Sequence, residues 1–321
     1  MKSNAAVPGV VLDAKARERR WKKRMIIQNW DLYLLILPTV VFFIVFKYVP
    51  MYGVQIAFRD FVPADGIWGS EWVGWENFRR FFTYPLFKDS IINTVTLSFL
   101  NQFINFPFPI ILALLLNQCE TAWYKKTVQT ISYAPYFISV VVLVGILQFF
   151  LSPVSGPINA IIKACGGSAI NFMGEPGLFK WIYVFSDTWQ NSGYNAIIYI
   201  AALAGISPEY YEAAMVDGAT KFKRMLYIDI PFLMPTVCVL FILGAGRIMS
   251  MGFEKAFLMQ NSLNAQKSEI IATLVYKFGL QNSDFGLSTA VSLFNTVINL
   301  IFIITVNWVT GKLSSGENSL W

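Results

Sequence analysis

The chain has 321 residues, of which 55% are apolar, 16% aromatic and 14% charged, with a net charge of +6. Soluble domains carry about 25% charged residues, so this composition excludes an ordinary water-soluble protein and predicts a surface that largely faces lipid. Because the sequence contains no histidine, Ser-His-Asp and Cys-His catalytic arrangements and histidine metal sites are excluded, and we predict neither a catalytic residue nor a metal site.

Six stretches are long and apolar enough to cross about 30 Å of hydrocarbon as helices. They are residues 30–49, 91–116, 128–150, 181–204, 232–252 and 288–311. The sequence therefore predicts an all-α integral membrane protein in three parts: a basic arm (1–29), a six-helix membrane domain (30–311) and a short tail (312–321).

Lysine and arginine counts outside the spans predict the orientation, because cytoplasmic segments are enriched in both. With the N-terminus inside, the inner segments hold 14 of these residues and the outer segments 9. We therefore predict that both termini are cytoplasmic. The basic arm is expected to contact anionic membrane lipids rather than nucleic acid, and no nucleic-acid partner is predicted.

The inner loop between spans four and five, residues 205–235, contains the clearest sequence signals for local structure. Ser207 suits an N-cap, Pro208 suits the first helical position, and Glu209 places negative charge in the first turn. Gly218 permits the positive φ that ends a helix. A second short helix through residues 221–226 is predicted to precede Pro231 and Pro235, which would reset the chain before span five.

On the first helix of this loop, the small side chains of Ala213 and Ala214 form a nearly flat surface beside the charge of Glu212. Such a surface suits insertion into a groove on another protein. An ordinary amphipathic surface helix explains the same residues, and the residues alone leave both alternatives open.

The spacing of these residues resembles the EAA signature of ABC importer membrane subunits. The residues concerned are Glu212-Ala213-Ala214, Gly218 and Ile228-Asp229-Ile230-Pro231. Ile230 stands where the signature has leucine, a near-isosteric change. The additional Asp217 and Ala219 resemble the carbohydrate branch of these permeases. The segment Tyr33 to Pro50 resembles subunits of Gram-positive importers of polysaccharide fragments.

This resemblance implies that Glu212, Ala213, Ala214, Asp217 and Gly218 form a coupling helix that docks on a cytoplasmic ATPase. It also implies a second permease subunit, two ATPase subunits and an extracellular solute-binding protein, in the plasma membrane of a Gram-positive bacterium. The chain has no GxxxxGK[ST] phosphate-binding loop, so it holds no cofactor of its own, and ATP and Mg²⁺ are expected in the ATPase subunits.

Polar residues inside membrane spans often mark a substrate path. Span six carries a helical stripe, and span four carries a second one near its outer end. The stripes consist of Ser288, Ser292, Asn295 and Asn299 in span six and Asp187, Asn191 and Tyr194 in span four. Their amide, hydroxyl and aromatic groups suit a sugar, although hydrogen bonding between helices explains any single member.

Asp187 and Arg247 lie at similar predicted depths in spans four and five. Opposite charges at one level in a low dielectric are expected either to pair or to line a water-filled path, and we favour the pair.

The sequence thus predicts the permease subunit of an ATP-driven, binding-protein-dependent importer for oligosaccharides derived from a polysaccharide. An importer for a peptide or an anion is the alternative. An integral membrane enzyme is the remaining possibility, and it is disfavoured because neither histidine nor clustered intramembrane carboxylates are present.

Overall fold

The computed structural model describes residues 21, 25, 28–247 and 252–313. The chain divides into two compact units, Met1–Gln55 and Ile56–Trp321. Most of the predicted basic arm (1–29) and nearly all of the tail (312–321) lie outside the described residues.

From Trp30 onward, the described part of the first unit is a helix whose winding changes along its length. Helix α1 (Trp30–Phe43) continues into a π-helical turn (Ile44–Tyr48), the short α2 (Val49–Met51) and a 3₁₀ segment (Tyr52–Phe58) that extends past the end of the unit. None of the residues of α1 is buried. A helix that is apolar on all sides and exposed is typical of a membrane span.

The second unit is almost wholly helical in its described part. A two-stranded antiparallel ribbon pairs β1 with β2, with Arg59 opposite Trp72. The elements in chain order are β1 (Arg59–Asp60), α3 (Gly66–Gly69), β2 (Glu71–Trp72), α4 (Glu76–Phe82), α5 (Phe87–Asn105), α6 (Pro107–Asn117), α7 (Ala122–Tyr133), a 3₁₀ turn (Ala134–Phe137), α8 (Val140–Phe150), α9 (Pro157–Ala164), α10 (Phe179–Leu203), α11 (Pro208–Val216), α12 (Lys221–Arg224), a π turn (Met225–Asp229), α13 (Ile230–Ala245), α14 (Phe253–Met259), α15 (Ala265–Ser268), α16 (Ile271–Tyr276), a π turn (Lys277–Gln281) and α17 (Phe285–Leu313). The predicted all-α fold is confirmed.

Four helical segments of the described chain are long and apolar enough to cross a membrane: Trp30–Phe58, Phe87–Asn117, Lys221–Ala245 and Phe285–Lys312. A fifth results if the bent pair Ala122–Phe137 and Val140–Phe150 is one span. Helix α10 has 25 residues, enough to span, but its polar run makes it less apolar than the others. The count of six spans stays a prediction.

The third span predicted for residues 128–150 is not one straight helix, and its crossing of the membrane stays a prediction. Its two helices meet at an angle of 99°. Pro135 lies in the 3₁₀ turn that ends the first helix, where its missing N–H interrupts the helical ladder. The Ser139 side chain then caps α8 by accepting a hydrogen bond from the Val142 backbone N–H at 3.3 Å, so the apolar run is divided by local turn chemistry.

The predicted reset of the chain at Pro231 and Pro235 is also wrong, because one helical segment runs from Lys221 to Ala245. The π turn Met225–Asp229 precedes Pro231, which occupies the first turn of α13, and Pro235 lies inside that helix. The basic segment therefore continues directly into the apolar span. The helix ends at Ala245, and residues 248–251 of the span predicted for 232–252 lie outside the described residues.

Helix α10 connects two of the buried apolar clusters. Its Tyr183 and Val184 pack with Leu97 of α5, while Tyr199 packs with Leu114 of α6 and others. Gly193 lies so close to α7 that an added Cβ would be 1.9 Å from the Ser132 carbonyl oxygen. The polar middle of α10 is therefore fixed among α5, α6 and α7.

Candidate functional site

Helix α11, between α10 and α12, has the beginning and the end that its sequence predicts. Ser207 occupies the N-cap position with extended backbone, although its side chain makes no capping hydrogen bond. Gly218 has a φ of +73°. The Gly218 N–H donates to the Met215 carbonyl and the Ala219 N–H to the Ala214 carbonyl, which is the Schellman pattern of helix termination. The predicted helix and turn are present.

The predicted docking residues lie on the exposed side of this helix. Glu212, Ala213, Asp217 and Gly218 are exposed, and Ala214 is half-buried. Val216 is 88% exposed. This part of α11 offers a charged group, small side chains and apolar side chains to a partner at once.

The other side of α11 is attached to the rest of the unit through a buried carboxyl group. The Tyr211 hydroxyl donates to Asp229 Oδ1, and Gln118 Nε2 donates to Asp229 Oδ2 at 2.7 Å. Asn117 Nδ2 in turn donates to the Tyr211 hydroxyl at 3.3 Å. Asp229 is fully buried. We call Tyr211, Asp229 and Gln118 the Asp229 cluster; it joins α11 to the end of α6 and to the helix that becomes α13.

Burial and the acceptor next to it change the acidity of the cluster's phenol. Removal from water, followed by the hydrogen bond to Asp229, raises the pKa of Tyr211 to about 12. The hydroxyl is therefore a protonated donor at neutral pH. At the surface nearby, Lys221 pairs with Glu120 at 2.6 Å and holds the pKa of that exposed carboxyl below its ordinary value.

A polar cavity of about 390 Å³ lies among α5, α6, α10 and α13. It receives four polar residues from one face of α5, at i, i+3, i+4 and i+7. Its lining consists of Ser98, Asn101, Gln102, Asn105, Phe106, Pro109, Asp187, Asn195, Ile198, Tyr199, Leu240, Gly244, Arg247 and Gly252. We refer to this space as the polar cavity.

The cation that pairs with Asp187 is Lys255 of α14, not the predicted Arg247. Lys255 Nζ lies 3.5 Å from Asp187 Oδ1 and donates to the Tyr183 carbonyl at 3.0 Å. Asn105 Nδ2 donates to Asp187 Oδ2 at 2.7 Å, and Asn191 Nδ2 donates to Oδ1 at 3.0 Å. Lys255 is 4% exposed, so the favoured Asp187–Arg247 pair is absent from the described structure, and both residues instead line the polar cavity.

The remaining residue of the α10 stripe faces elsewhere. Tyr194 stacks on Tyr136 with ring centroids 3.8 Å apart and does not line the polar cavity, whereas Asn191 reaches the cavity only through its bond to Asp187.

The α17 stripe faces a separate cavity of about 610 Å³, lined in part by Ser288, Ser292 and Asn295. Ser288 donates to the Val275 carbonyl at 2.9 Å. Asn295 Oδ1 is buried without a hydrogen-bond partner. Asn299 is not among the residues that line this cavity. Asp187 of the α10 stripe and three residues of the α17 stripe therefore lie at two different cavities, and a role of either stripe in a substrate path stays a prediction.

Sequence reasoning missed Lys255, Asn105 and the Asp229 cluster. The α5 residues Ser98, Asn101, Gln102 and Asn105 are themselves a helical stripe, and that signal was available. No sequence pattern pointed to Lys255, because its helix α14 contacts α10 only in the folded chain. No group of His, Cys, Asp and Glu side chains in the described residues is arranged to hold a metal ion.

Comparison with known proteins gives concordant matches. The family model described as "Binding-protein-dependent transport system inner membrane component" matches residues 105–315. The polygalacturonan/rhamnogalacturonan transport system permease protein YteP of Bacillus subtilis is 41% identical over 98% of this chain and 97% of that protein. Protein LplB of the same organism is 40% identical over 91% of this chain and 92% of its own length.

A solved bacterial alginate ABC transporter, in complex with an alginate pentasaccharide-bound periplasmic protein, contains a similar chain. The TM-score is 0.84 at 35% identity, covering 94% of this chain and 100% of that one. The predicted membrane permease, which is a transport protein and not an enzyme, is confirmed by these matches. The chain belongs to the family of binding-protein-dependent transport system inner membrane components.

Proposed function

We propose that this chain is one permease subunit of an ATP-driven importer for oligosaccharides derived from a polysaccharide. The observation that carries the proposal is the two-sided placement of α11, which exposes Glu212 and its neighbours while the Asp229 cluster holds its other side. A helix that is free on one side and fixed on the other suits transmission of movement from a docked partner.

The Asp229 cluster supplies a route for that movement. It ties α11 to α6 and to the helix that becomes α13, and both α6 and α13 contribute to the wall of the polar cavity. In the proposed cycle, closure of the ATPases displaces α11, and α6 and α13 then change the shape of the cavity.

The proposed assembly contains a second permease subunit, two ATPase subunits and an extracellular solute-binding protein, embedded in membrane lipid. ATP and Mg²⁺ belong to the ATPases in this proposal. The protein with bound alginate pentasaccharide in the similar structure supports the binding-protein partner. The two Bacillus relatives support the plasma membrane of a Gram-positive bacterium, with six spans and both termini inside.

The substrate class is supported by relatives named for polysaccharide or oligosaccharide transport and by the polar cavity. Amides and hydroxyl groups there, with Phe106 and Tyr199 beside them, provide hydrogen-bonding groups and apolar faces, both of which a sugar ring uses.

The test is purification of the complete transporter, followed by identification of the ligand carried by the co-purifying binding protein and measurement of ligand-stimulated ATP hydrolysis. An oligosaccharide that stimulates hydrolysis supports the proposal. A peptide or an inorganic anion as the stimulating ligand overturns the sugar assignment, and a chain that co-purifies with no ATPase overturns the importer assignment.

A further inference from the structure

Three tryptophans are exposed on the two-stranded ribbon and just after it. Trp68, Trp72 and Trp75 are 75%, 57% and 70% exposed. The Arg59 guanidinium lies over two of the rings, 5.8 Å from the centroid of Trp68 and 5.3 Å from that of Trp72. We call Arg59 and these three residues the tryptophan surface. Exposed apolar side chains clustered in this way mark a surface that a partner or a membrane covers.

The tryptophan surface is fixed beside the first turn of α17. Gly286 lies so close to the ribbon that an added Cβ would be 2.6 Å from the Arg59 carbonyl oxygen. The buried Asn77 amide of α4 donates to the same carbonyl at 2.9 Å. The ring centroids of Phe61 and Phe285 are 6.1 Å apart. The ribbon is therefore level with the end at which α17 begins.

The other end of α17 carries a second exposed tryptophan with a basic partner. Trp308 is 59% exposed, and Lys312 Nζ lies 3.9 Å from its ring centroid. Because α17 is one continuous helix, the distance along its axis from Gly286 to Trp308 is about 33 Å at about 1.5 Å per residue. The hydrocarbon core of a bilayer is about 30 Å thick. The two tryptophan sites are thus as far apart as the two membrane–water interfaces, where tryptophan is enriched.

The rings and charges of the tryptophan surface favour the headgroup layer over a sugar or the hydrocarbon core. A sugar stacks on an open ring face, whereas Trp72 is covered by Arg59 and by the nearly parallel ring of Phe58 at 5.6 Å. Three carboxylates of the same segment are exposed, namely Asp60, Asp65 and Glu71. Carboxylates are costly in hydrocarbon, so the surface lies no deeper than the headgroups.

We propose that the tryptophan surface binds the headgroup layer of the phospholipid bilayer and fixes the depth of the permease, with Trp308 and Lys312 at the opposite interface. An indole ring suits this layer because it combines an apolar body with one polar N–H. Arg59 holds two of the rings in place through its charge. The inference goes beyond the proposed import and does not depend on the transported substrate.

The test measures the depth of nitroxide labels in the complete transporter, reconstituted in bilayers of phosphatidylcholine and phosphatidylglycerol. Trp68→Cys and Trp75→Cys each introduce one labelling site in a background without native cysteines, and each variant keeps the other two tryptophans. Relaxation by oxygen, which concentrates in hydrocarbon, is compared with relaxation by a water-soluble nickel complex. Both labels should lie in the interfacial layer, which is about 5–8 Å thick on each side of the hydrocarbon.

Two control positions define the limits of the depth scale. Glu175→Cys places a label at an exposed position of the predicted outer segment, where the nickel complex should be the stronger relaxant. Val297→Cys places one on the exposed side of α17, about 16 Å from both Gly286 and Trp308 along the axis, where oxygen should be the stronger relaxant. The labels at Trp68 and Trp75 should give ratios between these two.

The outcomes separate a lipid contact from a protein contact. A water-like ratio at both tryptophan positions, equal to that at Glu175, overturns the proposal. If addition of the binding protein then shields both labels, the surface is a docking site for that protein. A ratio equal to that at Val297 also contradicts the proposal, because the exposed carboxylates would then lie in hydrocarbon. The depths are read without transport, so failure of the proposed import would leave this result standing.

Discussion

The Tyr211 hydroxyl and the Gln118 amide both donate to the fully buried Asp229, whereas Ser98 Oγ and Gln102 Nε2 of the polar cavity are buried without a partner within the described chain. Both regions are polar and enclosed by apolar helices. The first region is completed by the protein itself and holds a helix in place, whereas the second keeps buried polar atoms without hydrogen-bond partners. Asp187 lines the cavity, but its pair with Lys255 is satisfied internally, like the Asp229 cluster.

The largest effect on stability is expected at that pair. Asp187→Asn and Lys255→Met should each lower the free energy of unfolding by about 3 kcal/mol, because each leaves a buried partner uncompensated. In a double-mutant cycle the two should couple by about 1 kcal/mol or more. Denaturant unfolding of the purified protein in detergent measures this.

The matched cycle uses Asp187→Asn with Arg247→Gln, which line the same cavity but do not pair. Their coupling should stay within about 0.5 kcal/mol of zero. A strong coupling between Asp187 and Arg247, with no coupling between Asp187 and Lys255, would show that Arg247 and not Lys255 is the cation that pairs with Asp187.

A somewhat smaller effect is expected in the Asp229 cluster. Asp229→Asn replaces one acceptor by an amide N–H that faces another donor, and should lower the free energy of unfolding by about 2 kcal/mol. Tyr211→Phe should lower it by about 1 kcal/mol, and the double variant should show non-additivity because the groups share one network.

Asp217→Asn is the control for this cluster, since the Asp217 carboxyl is exposed in the same loop; its effect should stay within about 0.5 kcal/mol. Equal stability of Asp229→Asn and Asp217→Asn would show that the cluster does not anchor α11.

Substitutions at Gly218 test the end of helix α11 through the backbone alone. An added Cβ meets no atom within 4 Å, so any penalty comes from the φ of +73°. Gly218→Val should destabilise the loop by about 1–2 kcal/mol, while Gly218→Asn should be milder because asparagine tolerates this region. Uptake and melting temperature are measured for both variants. Equal melting temperatures of Gly218→Val and Gly218→Asn would contradict the backbone argument.

Glu212 is expected to show the smallest effect on stability. Its effect on transport is expected to be large. Glu212→Lys changes an exposed side chain, so the free energy of unfolding should move by less than about 0.5 kcal/mol. Co-purification of the ATPase and ligand-stimulated ATP hydrolysis should fall about tenfold if α11 docks on the ATPase. Glu175→Lys is the same reversal at an exposed position in the predicted outer segment, and it should leave both measurements unchanged. Wild-type coupling in Glu212→Lys would make α11 a passive surface helix.

The helix and turn of residues 208–218 were predictable because their signals are local. Pro208 sets the first turn and Gly218 supplies the left-handed residue, and both act within a few positions of themselves. The spacing around Glu212 added the family resemblance. Hydropathy alone did not show the break that Pro135 and Ser139 produce within residues 128–150. The proline reasoning failed at Pro231, where the helix continues through the π turn.

The sequence by itself determined the membrane class, the helical fold and the helix and turn of residues 208–218, because apolar run length, proline, glycine and capping residues act along the chain. Only the tertiary structure decided which cation meets Asp187, since Lys255 lies 68 positions away on a helix that hydropathy does not place against α10. It likewise decided that Asp229 is an anchor and that Ser98 is left unpaired. Partner choice among polar groups depends on distances between helices, and those distances are set by packing, which no single segment of the chain encodes.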